Sequence, residues 1–309
     1  MKPKIYIDGS EGTTGLRIFE RVGCRDDIEI LTIDPALRKD VDARRKLINQ
    51  SDITFLCLPD AAAKEAVTLV ENDKTKIIDA STAHRVNPDW AYGFAELSAA
   101  HREKIASGKR IANPGCHATG FISLVYPLVA AGVLPKETVT TCFSLTGYSG
   151  GGKKMIAQYE STDRDPLLGA PRQYALGQSH KHLKEMAQLC GLENTPVFCP
   201  VVADFYSGME VTVPLFANQL KGNLEDVKAL YRSYYSQGLI HFDEAADPDS
   251  MLSALAYSGR DDMGVSVFGN EDRIILTARF DNLGKGASGA AIQNMNILLG
   301  LDETTGLSV

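Results

Sequence analysis

No two cysteines of this 309-residue chain stand at C-x-x-C spacing, and no histidine accompanies one at the spacing of a zinc ligand set. The six cysteines, at 24, 57, 116, 142, 190 and 199, are therefore expected to be neither disulfide-bonded nor metal-bound, and each has to be judged by its own surroundings. No run of lysine and arginine is long enough to make a basic stripe. The formal net charge of −7 is spread along the sequence, which excludes the basic stripe needed to hold nucleic acid or an anionic membrane surface. Long hydrophobic runs are missing too: Phe121 to Leu134, the longest, is interrupted by Tyr126, Pro127 and Gly132 and is too short to cross a bilayer. Met1-Lys2-Pro3-Lys4 passes directly into the strand-like Ile5 to Ile7 without an apolar leader, so a cytoplasmic location is expected.

What is present is an ordinary globular composition, 44% hydrophobic and 23% charged, in a chain long enough for two cores. The first third alternates short β-rich runs (Lys4 to Asp8, Ile28 to Ile33, Ile53 to Leu58, Lys76 to Asp79, Arg110 to Ala112) with helix-length segments such as Thr13 to Val22 and Ala61 to Glu71. That alternation predicts an α/β unit with a doubly wound parallel sheet. After a helix over Ala118 to Ala131 the character changes. The alternating strands Val139 to Leu145, Glu210 to Leu215 and Arg273 to Phe280 predict an α+β unit with a largely antiparallel sheet. Gly289 to Leu299 has helical spacing and is expected to return to the first unit.

Gly9-Ser10-Glu11-Gly12-Thr13-Thr14-Gly15 follows the first strand and opens a helix. Glycines there permit a tight turn, a close backbone approach to a pyrophosphate and close helix packing, while the helix N-terminus attracts the phosphate charge. Asp34 ends the second strand about 20 residues on, the place of a ribose-binding acid. Asp34 favours NAD, since a carboxylate repels a 2′-phosphate, whereas Arg38 can pair with that phosphate.

Asn113-Pro114-Gly115-Cys116-His117-Ala118-Thr119-Gly120 is a second strand-turn-helix segment. It sets Cys116 at a helix N-terminus, where the dipole favours a thiolate. Cys57 and Cys142 lie in apolar strand-like runs and are assigned to packing. A thiolate attacking a carbonyl needs an acid/base partner, and His180-Lys181-His182-Leu183-Lys184-Glu185 offers one. Glu185, one turn beyond His182, is placed to orient its imidazole.

With these motifs the chain resembles the shorter members of the N-acetyl-γ-glutamyl-phosphate reductase family. Further matching segments are Asp79-Ala80-Ser81-Thr82-Ala83-His84-Arg85, Tyr92 to Leu97, Gly147-Tyr148-Ser149-Gly150-Gly151-Gly152-Lys153 and Asp281 to Gly289, so the likeness covers the chain nearly end to end. Longer family members carry Pro where this chain has Lys184. The resemblance implies a Rossmann dinucleotide-binding domain (1–116 with 284–309) and a glyceraldehyde-phosphate-dehydrogenase-like catalytic and oligomerisation domain (117–283). It further implies NADPH as reductant, an acyl-phosphate substrate, a homodimer or homotetramer, and a place in arginine biosynthesis. Carried over, Cys116 is the nucleophile and His182 the acid/base oriented by Glu185, with His180 a substrate contact or the alternative base. Gly9, Ser10, Gly12, Thr13, Thr14, Gly15, Asp34 and Arg38 would bind the cofactor, with Asn282, Lys285 and Gly286 closing over it. Ser81, Arg85, Asn113, Ser149 and Gly150 would meet the substrate. Aspartate-semialdehyde dehydrogenase, which shares the chemistry, and a non-catalytic nucleotide sensor are the rival readings.

Overall fold

The computed structural model describes residues 2–246 and 251–309. They form two compact units, one running to Pro114 and resuming over Ala287–Leu307, the other made of Gly115–Gly286 with Ser308–Val309. Gly115, Cys116 and Gly284–Gly286 thus group with the second unit rather than the first, against the boundaries of 116 and 284 expected from sequence. The helix that begins at Cys116 packs within the second unit. The buried Asp281 carboxylate of that unit also accepts the Leu283 and Gly284 N–H groups.

In the first unit, β1 (Lys4–Asp8), α1 (Thr13–Gly23), β2 (Glu29–Leu31), α2 (Val41–Gln50), β3 (Ile53–Leu56), α3 (Asp60–Thr68), β4 (Lys76–Asp79), β5 (Ala91–Tyr92), α4 (Ala99–Ser107) and β6 (Arg110–Ala112) follow one another. The strands pair in the order β2-β1-β3-β4-β6-β5, and every pairing among the described residues is parallel. Side chains alternate across such a sheet, so each strand feeds two cores. Ile5, Ile7, Ile53, Phe55 and Ile78 pack with Ile18 and Val22 of α1, Ile105 of α4, and Ala291, Ile292, Met295 and Leu298 of the returning Gly289–Leu299 helix. Tyr6, Leu56 and Ile77 point the other way, onto Ile48 of α2 and Ala63 and Ala66 of α3. Helices therefore cover both faces, the doubly wound plan expected.

The second unit begins with α5 (Cys116–Ala130) and continues through β7 (Thr141–Gly147), α6 (Gly152–Tyr159), β8 (Arg172–Gln173), α7 (His182–Cys190), β9 (Val197–Ala203), β10 (Met209–Phe216), α8 (Leu224–Tyr234), β11 (Ile240–Phe242), β12 (Met263–Gly269) and β13 (Arg273–Phe280). Its sheet runs β11-β12-β13-β10-β7-β9-β8, with parallel pairings at β11–β12 and β7–β9 and antiparallel ones elsewhere. α5 is buried along most of its length and packs on β10 and β13. A Cβ on Gly120 would come within 2.4 Å of Val211, so the close approach of helix and sheet requires glycine. Pro127 lies inside α5 and has no N–H to give the Ser123 carbonyl one turn back. The Tyr235 hydroxyl of the segment after α8 donates to that oxygen at 2.6 Å instead, and Tyr231 donates to the neighbouring Leu124 carbonyl.

Candidate active site

The glycine loop between β1 and α1 is built around two glycines that tolerate no side chain. Gly9 has φ +88°, and a Cβ there would lie 2.4 Å from the Cys57 carbonyl oxygen; one on Gly15 would lie 2.4 Å from the Gly9 oxygen. Gly12 is the N-cap of α1 and no side chain caps it, so the backbone of the first turn faces outward without a competing side-chain oxygen. The two glycines let the loop fold tightly against Cys57, just after β3, and onto itself, and the uncapped N–H groups of the first turn are the kind that attract a phosphate. Asp34 is engaged locally, accepting the Ala36 N–H at 2.9 Å as the cap of the short 3₁₀ turn Pro35–Leu37. Arg38 forms an ion pair with Glu11 of the glycine loop.

The remaining first-unit candidates are tied into their own loops. Asp79, fully buried at the end of β4, accepts from Ser81 Oγ at 2.8 Å and pairs with His84 Nδ1 at 2.6 Å, while the His84 ring stacks on Trp90. Arg85 donates to main-chain carbonyls, Nε to Asn113 and Nη2 to Ala80. Asn113 donates through Nδ2 to the Ala287 carbonyl and accepts from Asn294. Ser81, Arg85 and Asn113 thus brace the segment that leads to the cysteine turn.

In the second unit Cys116 is the first residue of α5, two residues earlier than the helix start expected, with Gly115 as an N-cap that no side chain caps. It is partly exposed, unlike the buried Cys142 and Cys190. Burial, with the Asp79 and Asp8 carboxylates, pushes the Cys57 thiol up to about 12, and burial raises Cys142 and Cys190 as well, so these three stay protonated and inert. One carboxylate oxygen of Glu185 accepts the Gly115 N–H at 2.8 Å, buried, so the α7 carboxylate holds the turn that presents Cys116. Gly286 crowds the same cysteine: a Cβ there would lie 2.9 Å from Cys116 Cβ. Asn282 donates to Ser149 Oγ at 3.0 Å and accepts the Gly208 N–H at 2.9 Å, and Lys285 is buried beside it in sequence. A Cβ on Gly150 would come 3.5 Å from Asn282 Nδ2 and from Thr146 Oγ1, an ordinary contact distance.

Histidines gather at the residue that follows Cys116. The rings of His180 and His182 are 4.7 Å apart and perpendicular, and His180 Nδ1 accepts the His182 backbone N–H, so a neutral His180 carries its proton on Nε2. A third ring, His117, lies 5.6 Å from His180 and 5.5 Å from His182. Sequence reasoning gave His117 no role, although a histidine directly after a turn-borne cysteine is itself a signal. Among the described residues no cluster of His, Cys, Asp and Glu is arranged to hold a metal, and no helix is long and apolar enough to cross a membrane.

Residues 6–106 match the semialdehyde dehydrogenase NAD binding domain and residues 116–282 the semialdehyde dehydrogenase dimerisation domain. These matches define the class, an oxidoreductase that binds a nicotinamide dinucleotide. The N-acetyl-γ-glutamyl-phosphate reductase 2 of a Nostoc species is 46% identical, over 99% of this chain and 99% of its own length. The N-acetyl-γ-glutamyl-phosphate reductase of Brucella ovis is 47% identical over 97% of this chain and the whole of the relative. Among solved structures, aspartate semialdehyde dehydrogenase II of Vibrio cholerae superposes with TM-score 0.73 at 14% identity, covering 97% of this chain and 99% of that one; at that identity the likeness is one of fold. The chain belongs to the N-acetyl-γ-glutamyl-phosphate reductase branch of the semialdehyde dehydrogenase family.

Proposed function

We propose that this enzyme reduces N-acetylglutamyl 5-phosphate to N-acetylglutamate 5-semialdehyde with release of phosphate, as a step of arginine biosynthesis in the cytoplasm. The reading is supported by Cys116 at the start of a helix whose N-cap N–H is held by Glu185, by the rings of His180 and His182 packed on His117, the residue after Cys116, and by near-full-length relatives that bear that activity's name. The thiolate of Cys116 attacks the acyl carbon, the C–O bond to phosphate breaks, and a thioester remains on Sγ. Bound NADPH supplies the hydride that reduces this thioester. The oxygen that was the carbonyl then carries negative charge, which the α5 N-terminus and nearby N–H and O–H donors offset. That oxygen re-forms its double bond to carbon as the C–S bond opens; the electron pair goes to Sγ, His182 gives its proton to the departing sulfur, and the aldehyde leaves. His180 is the alternative proton donor, and Ser149 and Gly150 border the substrate. Asp34 accepts the Ala36 N–H as a local cap, and Arg38, paired here with Glu11, would hold the 2′-phosphate of NADPH, the choice that favours NADPH over NADH.

The partner is a second copy of this chain. Strand register puts Phe143, Val197, Phe216 and Ile275 on one face of the second sheet, opposite the face that α5 covers, and all four are 42–63% exposed. An apolar sheet face of this kind is covered in a stable oligomer. Light scattering on Phe143→Asp is expected to give half the wild-type mass; an unchanged mass would move the interface elsewhere.

The activity is tested by phosphate-dependent reduction of NADP⁺ with N-acetylglutamate semialdehyde, against aspartate semialdehyde and against NAD⁺. Wild type is expected to favour the acetylated substrate and NADP⁺, and Cys116→Ala to lose at least about a thousandfold in kcat. Near wild-type turnover by Cys116→Ala would overturn the thioester route, and preference for aspartate semialdehyde would overturn the substrate.

A further inference from the structure

His117 and Tyr174 form a hydrogen-bonded arm that the scheme above leaves unused. His117 Nδ1 is 2.6 Å from Ser144 Oγ on β7, and Nε2 is 2.6 Å from the hydroxyl of Tyr174. The ring is buried, edge-on to Phe198 of β9 at 5.2 Å, so its orientation is set by packing as well as by both hydrogen bonds. Burial, with His180 and Lys181 nearby, depresses its pKa to about 3, and it stays neutral under any condition in which the enzyme works. A neutral imidazole has one N–H and one lone pair, so one of its two hydrogen bonds donates and the other accepts.

The segment that carries Tyr174 is built at some expense. Ala175 and Gln178 have φ of 53° and 52°, left-handed conformations at non-glycine residues, and they bracket the turn between Tyr174 and His180. Gln178 locks the turn onto β9 at two points, Nε2 to the Phe198 carbonyl at 2.8 Å and Oε1 from the Phe198 N–H at 2.9 Å. The Tyr174 N–H is also bound, to the Pro200 carbonyl. Such strain persists where the surroundings over-determine it, and here what it delivers is one phenol. That phenol is kept protonated chiefly by burial and also by the negative charge of the Cys116 thiolate, which places the hydroxyl within electrostatic reach of the nucleophile.

We propose that Tyr174 donates a hydrogen bond to the oxygen that becomes negative when the Cys116 thioester is reduced, and that His117 is the positioning residue that aims it. In this arrangement Ser144 donates to His117 Nδ1, His117 carries its proton on Nε2 and donates to the Tyr174 oxygen, and the phenolic O–H is left to the substrate. No proton is transferred along the arm. It is a fixed neutral dipole of the oxyanion-hole kind, and the titrating work stays with His180 and His182.

The inference rests on the reductase reading, and the two fail separately: wild-type turnover of the acyl phosphate tests that reading, while the ratio of variant to wild type tests this one. Tyr174→Phe deletes one oxygen atom and keeps the ring. It is expected to lower kcat about a hundredfold, the loss typical of one oxyanion donor, with KM and the rate of Cys116 alkylation by iodoacetamide within about twofold of wild type. His117→Ala is expected to reach the same low kcat, and the double variant to fall no further than either. His117→Gln, whose amide N–H still donates to Tyr174, is expected to recover at least tenfold over His117→Ala when Tyr174 is present and nothing when it is Phe. A Tyr174→Phe kcat within threefold of wild type would overturn the proposal, as would a loss explained by slower alkylation of Cys116, which would make the arm a device for the thiol instead. Should His117→Ala fail to fold, Tyr174→Phe alone decides.

Discussion

Two turns in this molecule are made the same way and put to different uses. The one before α1 and the one before α5 each leave a strand, pass through glycine, and start a helix whose N-cap is a glycine in extended backbone, Gly12 or Gly115, with no side chain capping it. Both therefore present the positive end of a helix without a resident oxygen. Past the cap they part. Thr13 and Thr14 follow Gly12, and the positive end is left for an incoming phosphate; Cys116 follows Gly115, and a sulfur that can become anionic is already there. The second turn also has what the first lacks, a carboxylate from another helix, Glu185, locking the N–H of its cap residue. A mobile anion wants an open cradle, whereas a covalent nucleophile wants a fixed one.

That contrast can be broken from either side. Cys116→Ala, the largest effect, should abolish turnover while leaving the dissociation constant for NADP⁺, read by tryptophan or nucleotide fluorescence, unchanged. Gly9→Ala should do the reverse. A methyl forced against the Cys57 carbonyl in a left-handed conformation costs about 1–3 kcal/mol. It should weaken NADP⁺ at least tenfold and lower the thermal midpoint, with Cys116 alkylation at the wild-type rate. Glu185→Ala is smaller: it leaves the buried Gly115 N–H without its 2.8 Å acceptor, a loss of about 1–3 kcal/mol, and should slow both alkylation and turnover without touching nucleotide affinity. If Glu185→Ala changed NADP⁺ binding and spared alkylation, the assignment of a fixing role to this carboxylate would be wrong.

How much of this could be read in the chain depended on whether the signal was local. The strands Lys4–Asp8 and Arg273–Phe280 and the helix Gly289–Leu299 are placed as their hydrophobic periods predict. Other elements gave little sign. α4 buries only Ile105, so it has no apolar stripe to find. β9 carries Pro200, which argues against a strand in the middle of a sheet, yet it pairs on both sides. β12 begins with Met263-Gly264 and includes Ser266, a weak β pattern. In the site, the loop glycines and Cys116 announce themselves by turn chemistry. The partners of Glu185, Asn282 and His117 lie many residues away, and only the folded chain brings Tyr174 to His117 or Gly115 to Glu185. Arg85 shows the same dependence on the fold: its residue type suits a phosphate clamp, and only the folded chain shows its guanidinium donating to the Asn113 and Ala80 carbonyls.

The helix Gly289–Leu299 supplies a full side of the core whose other members include Ile5, Ile7 and Ile18. This makes the nucleotide-binding unit a discontinuous one, interrupted by nearly all of the second unit. During synthesis nearly all of the second unit, Gly115 to Gly286, emerges while the first still lacks a wall, and only Ser308–Val309 join it after the returning helix. The core around Ile5 and Ile18 therefore waits for Gly289–Leu299, and a nascent or C-terminally clipped chain lacking that helix would expose this surface to solvent and to chaperones.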